Sequence, residues 1–243
     1  MRFNHLTILL LFLLLLSCTS QEKLTGVEAE PFYTIDESLD KDEEIEAKLA
    51  SWREIYGEEM DRRVVEALGN FHFGKPESSL GNLTADMLRY RASHEMERFV
   101  HLALINRDGF GIEFREGPIT LDHLYQFMPY DNTLVVLEMP GSKIAKLADE
   151  IASRGGVPVS GLRMMINNGR ATGILVNSEH LDPERTYYLA TSSYVAGGGG
   201  GFDSLLEHNT RHDFDLLIRD LFIDHLRRYR EVAPEVDLRI REM

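Results

Sequence analysis

The chain contains a single cysteine, Cys18, so it cannot form an internal disulfide. Its fold must therefore be held together by a hydrophobic core, and 243 residues with 43% hydrophobic side chains can build a sizeable one. Arg2 and an apolar run over residues 6–16 precede this cysteine. The run has the length of a signal-peptide core and is shorter than the roughly 20 residues that cross a bilayer. We expect residues 1–17 to be a signal peptide and the protein to be exported.

Residues 15–18 read Leu-Leu-Ser-Cys, which resembles the lipobox of bacterial lipoproteins. In those proteins the cysteine becomes the lipidated N-terminus, and two or more acyl chains give stable anchoring. The resemblance implies a lipid anchor at Cys18, on the periplasmic face or the surface of a bacterial cell. The alternative is an ordinary signal peptide followed by a chance cysteine. Residues 18–39 are polar and are expected to form a tether between membrane and domain.

The formal charge is −14, from 26 basic and 40 acidic residues. This excludes a binder of nucleic acid polymers, because phosphate contacts need clustered lysines and arginines. The sequence has no Asp-x-His, Gly-Asn-His, His-x-His or Gly-x-Ser-x-Gly motif and no phosphate-loop lysine. His208 and His212 are four residues apart, but no third ligand is evident, and surface or turn positions are the preferred interpretation. We predict no catalytic residue and no metal ligand in this chain.

Hydrophobic periodicity predicts the elements of residues 40–243. We predict helices over residues 40–56, 82–94, 142–153 and 213–229, with a helical turn over 120–127. Runs of branched and aromatic residues predict strands within residues 63–73, 99–105, 133–139, 161–167, 171–176 and 186–191. Because these elements are interspersed without strict alternation, we predict a single α+β domain with a mixed sheet and flanking helices.

Two local expectations accompany these helices. Asn82 and Ser142 are expected to be N-caps, because each precedes a helical pattern and carries a suitable side chain. The helix over residues 40–56 has an apolar stripe, which we expect to pack on its own domain. Docking of this stripe on a partner is the alternative.

Six short sequence segments follow one another along the chain, at residues 79–86, 106–112, 117–120, 127–133, 155–162 and 194–202. In this order and spacing they resemble the C-terminal domain of bacterial and animal 5′-nucleotidases and sugar-nucleotide hydrolases. The resemblance covers nearly all of residues 40–242. It implies a domain that supplies the pocket for the nucleoside, while a separate metallophosphoesterase domain holds two divalent metal ions and performs the chemistry.

The resemblance also implies which residues contact the ligand. Tyr130 and Tyr194 would sandwich the base, Asn132 would contact its edge, and the backbone of Gly156 would lie close to it. Stacking on tyrosine tolerates any base and contributes about 1–3 kcal/mol, whereas the alternative for each ring is a core aromatic with its hydroxyl at the surface. Asn106 is either a polar group of the pocket or part of a turn at a strand end.

Three positions depart from the family pattern. Gly111 stands where the family has an arginine, Gly200 where it has an acidic residue, and Lys75 is the nearest cation to a second family arginine. Arg107 or Arg115 could substitute from a shifted backbone. The run of glycines at residues 197–201 is interpreted as a pocket wall rather than a flexible linker.

These observations predict the nucleoside-recognition subunit of a split 5′-nucleotidase, with a nucleoside or nucleotide as ligand and the two metals on a separate chain. The alternatives are a membrane-tethered nucleoside- or nucleotide-binding protein without catalysis, and a degenerate scaffold. Two stacked rings alone reach only about millimolar affinity once the cost of association is included. We expect no catalytic activity from this chain alone.

Overall fold

The computed structural model describes residues 39–243. The predicted signal peptide, Cys18 and almost all of the tether over residues 18–39 therefore lie outside the described residues. Among the residues described, no helix has the length and apolar character needed to span a bilayer. Residues 49–243 form one compact unit, to which the sheets and the site described below belong.

Six helices and twelve strands make up the described part. The helices are α1 (Glu43–Met60), α2 (Ser79–Glu95), α3 (Leu121–Phe127), α4 (Gly141–Ser153), α5 (Ser193–Ala196) and α6 (Ile218–Leu226). The strands are β1 (Arg63–Ala67), β2 (Leu102–Leu104), β3 (Gly117–Thr120), β4 (Thr133–Pro140), β5 (Val159–Ser160), β6 (Leu162–Asn167), β7 (Arg170–Val176), β8 (Glu179–His180), β9 (Thr186–Ser192), β10 (Thr210–Leu217), β11 (Glu231–Val232) and β12 (Ile240–Glu242).

The strands form three sheets, each with both parallel and antiparallel pairs. The central five-stranded sheet has the order β10-β4-β9-β2-β5, and β2 and β9 are its parallel pair. A three-stranded sheet has the order β11-β1-β3, and a four-stranded sheet the order β12-β6-β7-β8. The predicted α+β class with a mixed sheet and flanking helices is confirmed.

The central sheet is covered on both faces, which explains why β4 is a continuous apolar run. Successive side chains of a strand point to opposite faces. Leu134 and Val136 enter one core cluster together with residues of α2, α3 and α6. Val135 and Leu137 enter a second cluster with α4 and the sheet that contains β6 and β7. The central sheet is therefore packed between two hydrophobic cores, one on each face.

Both N-cap predictions are wrong. The N-cap of α2 is Ser78, whose hydroxyl accepts a hydrogen bond from the Gly81 N–H, while Asn82 is buried inside the helix and donates to Glu77 Oε1 at 2.6 Å. Helix α4 begins one residue before Ser142, at Gly141, with Pro140 at the cap position. Ser78 is itself a suitable capping residue for α2. At α4 the N–H groups of Gly141 and Ser142 donate to the carbonyl oxygens of Arg185 and Pro183, so a side-chain cap from Ser142 is not needed.

The helix predicted over residues 213–229 is wrong in its first part. Residues 210–217 form strand β10, and α6 begins only at Ile218. The side chains of His212 and Phe214 are half-buried, with exposed residues on either side, which is the alternation of a strand at the edge of a sheet. β10 pairs with β4, whose other neighbour is β9.

Helix α1 exists as predicted, but the expectation that its apolar stripe packs on the domain is wrong. No residue of this helix is buried. Trp52 and Ile55 are 60% and 69% exposed, and Met60 at the end of the helix contacts the first core cluster. Docking of the stripe on a partner remains a prediction.

Candidate functional site

The residues predicted to bind a ligand follow strand ends that lie together. Strand β4 begins and strand β9 ends at the same end of the central sheet, because Leu134 pairs with Ser192. Strand β2 runs parallel to β9 and therefore also ends there. Strand β5 begins at this end of the sheet, because Val159 pairs with Leu104. Residues 130–132, 193–194, 105–106 and 156–158 are thus brought to one end of the central sheet.

A small cavity of about 20 Å³ at this end is lined by three of the predicted residues, Tyr130, Asn132 and Asn106. The Tyr130 side chain is 61% exposed. Arg219, at the start of α6, also lines this cavity and donates to Met128 O at 3.0 Å and to Asp131 Oδ1 at 2.9 Å. This arginine, which no sequence motif marks, ties the segment that carries Tyr130 to α6.

Tyr194 lies at the same end of the sheet but lines neither this cavity nor the larger one described next. It belongs to α5, where the Ser193 hydroxyl accepts a hydrogen bond from the Thr133 N–H at 3.1 Å and so joins α5 to the start of β4. The Tyr194 ring lies against Gly199, where an added Cβ would be 2.5 Å from it. The ring is 54% exposed, so one side remains open.

A larger cavity of about 480 Å³ adjoins the small one. Asn106 lines both, and Gly156 and Gly200 line the larger one together with the aromatic rings of Phe73 and Phe202. Asn106 is only 7% exposed, and its amide has no hydrogen-bond partner in the described part of the chain. Because the residue lines both cavities, this amide can donate to and accept from a molecule that enters them. This supports the interpretation of Asn106 as a pocket residue.

Three cations line the larger cavity: Lys75, Arg107 and Arg154. The Arg107 guanidinium lies 4.1 Å from the centroid of the Phe73 ring, and that of Arg154 lies 4.5 Å from the centroid of the Phe202 ring. Arg107 is one of the two substitutes that the sequence offers for the missing arginine, whereas Arg154 was not predicted, because no motif marks it. Arg115, the other substitute, is not among the residues that line the cavity.

The wall that carries Phe73 is fixed by a carboxylate. Glu113 Oε1 accepts from the Phe73 N–H at 2.7 Å, and Glu113 Oε2 lies 3.0 Å from His72 Nδ1. The hydrogen bond with His72, followed by that with the Phe73 backbone, holds the pKa of this carboxyl below its usual range. Glu113 is therefore ionised at neutral pH and engaged by its own segment.

Comparison with known proteins identifies the fold. The family model described as "5′-nucleotidase, C-terminal domain" matches residues 65–207. The chain belongs to this family. The 5′-nucleotidase precursor from Thermus thermophilus superposes with a TM-score of 0.71 and 26% identity, over 82% of this chain and 43% of that protein. The NAD nucleotidase of Haemophilus influenzae shares the fold, with a TM-score of 0.63 and 19% identity over 84% of this chain and 42% of that protein.

Among curated relatives, the trifunctional nucleotide phosphoesterase protein YfkN of Bacillus subtilis (strain 168) is 26% identical, over 71% of this chain and 13% of that protein. A 5′-nucleotidase-related protein of Glossina morsitans morsitans is 22% identical over 90% of this chain and 44% of the relative. The chain thus spans less than half the length of each of these relatives.

Two departures from the 5′-nucleotidase C-terminal pattern have a structural reason. At Gly111 an added Cβ would lie 2.3 Å from Gln126 O, so no side chain fits there without movement of the backbone. Gly200 has a φ of +72° and interrupts the helical backbone of residues 199–201, a left-handed conformation that suits glycine. This short, ordered turn on the cavity agrees with a pocket wall rather than a linker.

Gly156 occupies a tightly packed position on the wall of the larger cavity. It lines the larger cavity, but an added Cβ would lie 2.1 Å from Pro76 O, and its φ is +101°. Its backbone therefore lies directly against the backbone of Pro76, next to Lys75. Whether a ligand also touches it stays a prediction.

The two metal ions of the resemblance do not fit the residues described. Within residues 39–243 no group of three or more His, Cys, Asp or Glu side chains is placed to hold a metal ion. His208 and His212 each have a protein contact at one ring nitrogen. His208 Nδ1 lies 2.8 Å from Leu205 O, and His212 Nε2 lies 2.8 Å from Glu138 Oε1. No reaction step through a metal is therefore assigned to this domain.

Proposed function

We propose that this chain is the nucleoside-recognition subunit of a split 5′-nucleotidase. In this proposal it binds the nucleoside part of a nucleotide, while a separate metallophosphoesterase chain holds the two divalent metals and hydrolyses the phosphate ester. The observation that carries the proposal is the meeting of Tyr130, Asn132 and Asn106 around one cavity at the end of the central sheet. Membership of the 5′-nucleotidase C-terminal family supports a nucleotide ligand.

The chemistry of these groups suits a nucleobase. The exposed ring of Tyr130 offers a stacking surface, and Tyr194 offers a second one at the same end of the sheet. Each stacked base contributes about 1–3 kcal/mol. The amide of Asn106 lines both cavities and has no hydrogen-bond partner in the described structure, so it offers a donor and an acceptor to a base or sugar. The site thus combines non-selective stacking with one orienting amide.

The separate catalytic chain is the second part of the proposal. It is supported by membership of the 5′-nucleotidase C-terminal domain family, and within residues 39–243 no group of side chains is placed to hold a metal ion. We also propose that Cys18 carries a lipid anchor and that the protein is exported to a bacterial membrane. A tethered partner in the same compartment would benefit from an increased effective concentration.

A second function is favoured by the size of the larger cavity. Its volume of about 480 Å³ lies within the range of small-molecule pockets, roughly 300–1,000 Å³. A non-catalytic, membrane-tethered nucleoside- or nucleotide-binding protein would need only this pocket and no partner. A degenerate scaffold, in contrast, would bind neither nucleoside nor nucleotide.

Calorimetric titration of the full chain in detergent with a panel of nucleosides tests the binding site. We expect saturable binding that Tyr130→Ala and Tyr194→Ala each weaken about fivefold or more, because each variant removes one stacking surface. Tyr56→Ala, on α1 and similarly exposed, is the matched control and should leave binding unchanged. Wild-type affinity in both site variants would refute the base sandwich.

Co-purification from the native membrane tests the catalytic partner. We expect a metallophosphoesterase chain to be retained with this protein, and mixing the two to raise the rate of nucleotide hydrolysis. The Tyr130→Ala variant should retain the partner but raise KM in the mixture. Nucleoside binding with no co-purifying phosphatase, and no added activity on mixing, would favour the non-catalytic receptor.

A further inference from the structure

We propose that the cleft between α2 and α6 is a second ligand site, which takes a small organic ammonium ion. This α2–α6 cleft has a volume of about 390 Å³, within the range of small-molecule pockets. It is lined by one face of α2, by His225 near the end of α6, by Tyr229, and by residues 233–239. The residues that line it are not those that line either cavity at the end of the central sheet. The proposal is therefore independent of the proposed function.

Three aromatic rings form one wall of the α2–α6 cleft. The His225 ring contacts both Tyr90 and Tyr229, with ring centroids 5.4 and 5.2 Å away. The two tyrosines are 52% and 48% exposed, so part of each ring is open to a ligand. The electron-rich face of an aromatic ring attracts a cation that lies within about 6 Å of its centroid, and quaternary ammonium groups are recognised in this way. The wall thus offers two tyrosine rings to a cation.

The imidazole of His225 is the polar group in this wall. It makes no hydrogen bond in the part of the chain that the structure describes. The residue is only 9% exposed and its Nδ1 is enclosed by protein, so Nε2 is the nitrogen that an entering molecule can reach. A buried polar group without a partner costs free energy, and Nε2 can bond to a polar group of a ligand.

The charge state of this imidazole also suits a cation. Burial, followed by Arg228 and Arg91, lowers the pKa of His225. The ring is therefore neutral at pH 7 and does not repel a positive ligand. Neither of the two arginines lines the cleft, and Arg91 is paired with Glu95 at 3.4 Å.

The charges that a ligand meets in the cleft are mainly negative. Asp86, Glu235 and Asp237 line it together with two arginines, Arg89 and Arg239. The Arg239 side chain is 12% exposed and contacts Asp86 at 2.6 Å and Asp237 at 2.7 Å. The carboxylate side chains of that network are 48% and 46% exposed. The arginine is thus enclosed, whereas the two acidic groups still face solvent.

The second arginine of the cleft, Arg89, has a contact outside it. Its Nη1 donates to Asn177 Oδ1 at 2.7 Å, and Asn177 lines a neighbouring cavity rather than this cleft. Glu235, in contrast, is exposed. In a chain with a formal charge of −14, carboxylates that reach solvent beside open tyrosine rings favour a cation over an anion.

Histidine side-chain NMR of the full chain in detergent tests the site with three molecules of similar shape and different charge. Choline is positive, 3,3-dimethyl-1-butanol is neutral and 3,3-dimethylbutanoate is negative. We expect saturable shifts of the His225 resonances, which are assigned from their loss in His225→Phe. Choline should bind about tenfold more tightly than the neutral alcohol, and the anion should bind more weakly than the alcohol.

Substitutions test the rings and the charge separately. Tyr90→Ala and Tyr229→Ala should each weaken choline binding about fivefold, because each removes one ring face. Tyr90→Phe keeps the ring and should stay within about twofold of the wild type, and Tyr56→Ala, at an exposed tyrosine on α1, is the matched control. Glu235→Gln should weaken choline binding about threefold and leave binding of the alcohol unchanged. Glu184→Gln, at an exposed glutamate outside the cleft, is its charge-matched control.

Glycerophosphocholine, the water-soluble headgroup of a lipid, distinguishes two sources of such a cation. Weaker binding than that of choline would assign the site to a free amine, and tighter binding would assign it to a lipid headgroup. Both results support the ammonium site. Equal affinity for choline and the neutral alcohol, tighter binding of the anion, or wild-type affinity in both alanine variants would overturn the proposal. Unchanged His225 resonances on addition of choline would overturn it as well.

Discussion

Gly111 illustrates how one backbone position limits what the cavity region can contain. An added Cβ there would lie 2.3 Å from Gln126 O, and the Gly111 N–H donates to Phe127 O at 3.0 Å, so the chain lies directly against the end of α3. We expect Gly111→Ala to lower the free energy of unfolding by about 1–3 kcal/mol, because the backbone must move to accommodate the methyl group. Urea unfolding followed by circular dichroism measures this change.

The control for this prediction is Gly74→Ala, where an added Cβ comes no closer than 3.7 Å to Glu77 O, an ordinary contact. This variant should be as stable as the wild type, within about 0.5 kcal/mol. Equal stability of Gly111→Ala would show that the close approach to α3 is absent. A gain in AMP affinity on Gly111→Arg would show that the family arginine can be accommodated after all.

At the scale of residues, sequence strings located part of the site. Tyr130, Asn132 and Asn106 stand in local motifs and do line one cavity. Arg154 could not be found in this way, because its position depends on carbonyl groups some 46 residues further along the chain. Tyr194 lies at the same end of the sheet but lines neither cavity, and its ring packs against Gly199 of the glycine turn.

Helix α1 carries the one tryptophan of the chain, Trp52, and this allows a sharp test of its exposed stripe. The indole is 60% exposed and stacks on Tyr56 with ring centroids 5.5 Å apart. We expect its fluorescence emission to be that of a water-exposed indole and to shift little on unfolding in urea, because its surroundings are aqueous in both states. Circular dichroism, measured in parallel, should report the unfolding transition.

The matched variant is Trp52→Phe, which should lose the indole emission and keep the free energy of unfolding within about 0.5 kcal/mol of the wild type. A blue-shifted emission that moves to longer wavelength on denaturation would mean that another surface covers the α1 stripe. The prediction is made for the isolated protein. Addition of a purified partner chain would then show whether docking shifts the emission.

At the scale of elements, local signals predicted α3 and β4 well, because Thr120 forms a capping box and β4 is a run of branched residues. The helix predicted over residues 213–229 includes residues 213–217, which belong to strand β10. These residues form a strand because they pair with β4. A local sequence pattern does not reveal a partner strand so far away along the chain. Asn82 lies inside α2 because the cap is formed four residues earlier, by Ser78.

At the scale of the whole molecule, the sequence predicted the α+β class but not the arrangement that creates the site. The order β10-β4-β9-β2-β5 brings together segments from four separate parts of the chain. Strand order depends on long-range pairing, which the hydrophobic pattern of each strand does not specify. The resemblance to 5′-nucleotidases supplied what periodicity could not.

The pH dependence of stability is a property of the whole fold, and a buried histidine of α6 should contribute to it. His225 is 9% exposed, and its Nδ1 has no hydrogen-bond partner in the structure described. Burial, with further contributions from Arg228 and Arg91, lowers the pKa of this histidine. The unfolded chain therefore binds a proton more readily than the folded chain. Stability should be full above the unfolded-state pKa of about 6.5 and fall as the pH drops below it.

Unfolding in urea at pH 8 and at pH 5.5 measures this loss. His225→Phe should reduce the difference in unfolding free energy between the two pH values, because the variant cannot take up the proton that favours the unfolded chain. His101, whose pKa is lowered by burial and by Arg185, should contribute in the same direction, and His101→Phe tests its share. The control is His180→Asn, at an exposed histidine on β8, which should keep the wild-type difference. An unchanged difference in His225→Phe would show that this histidine is protonated without cost inside the fold.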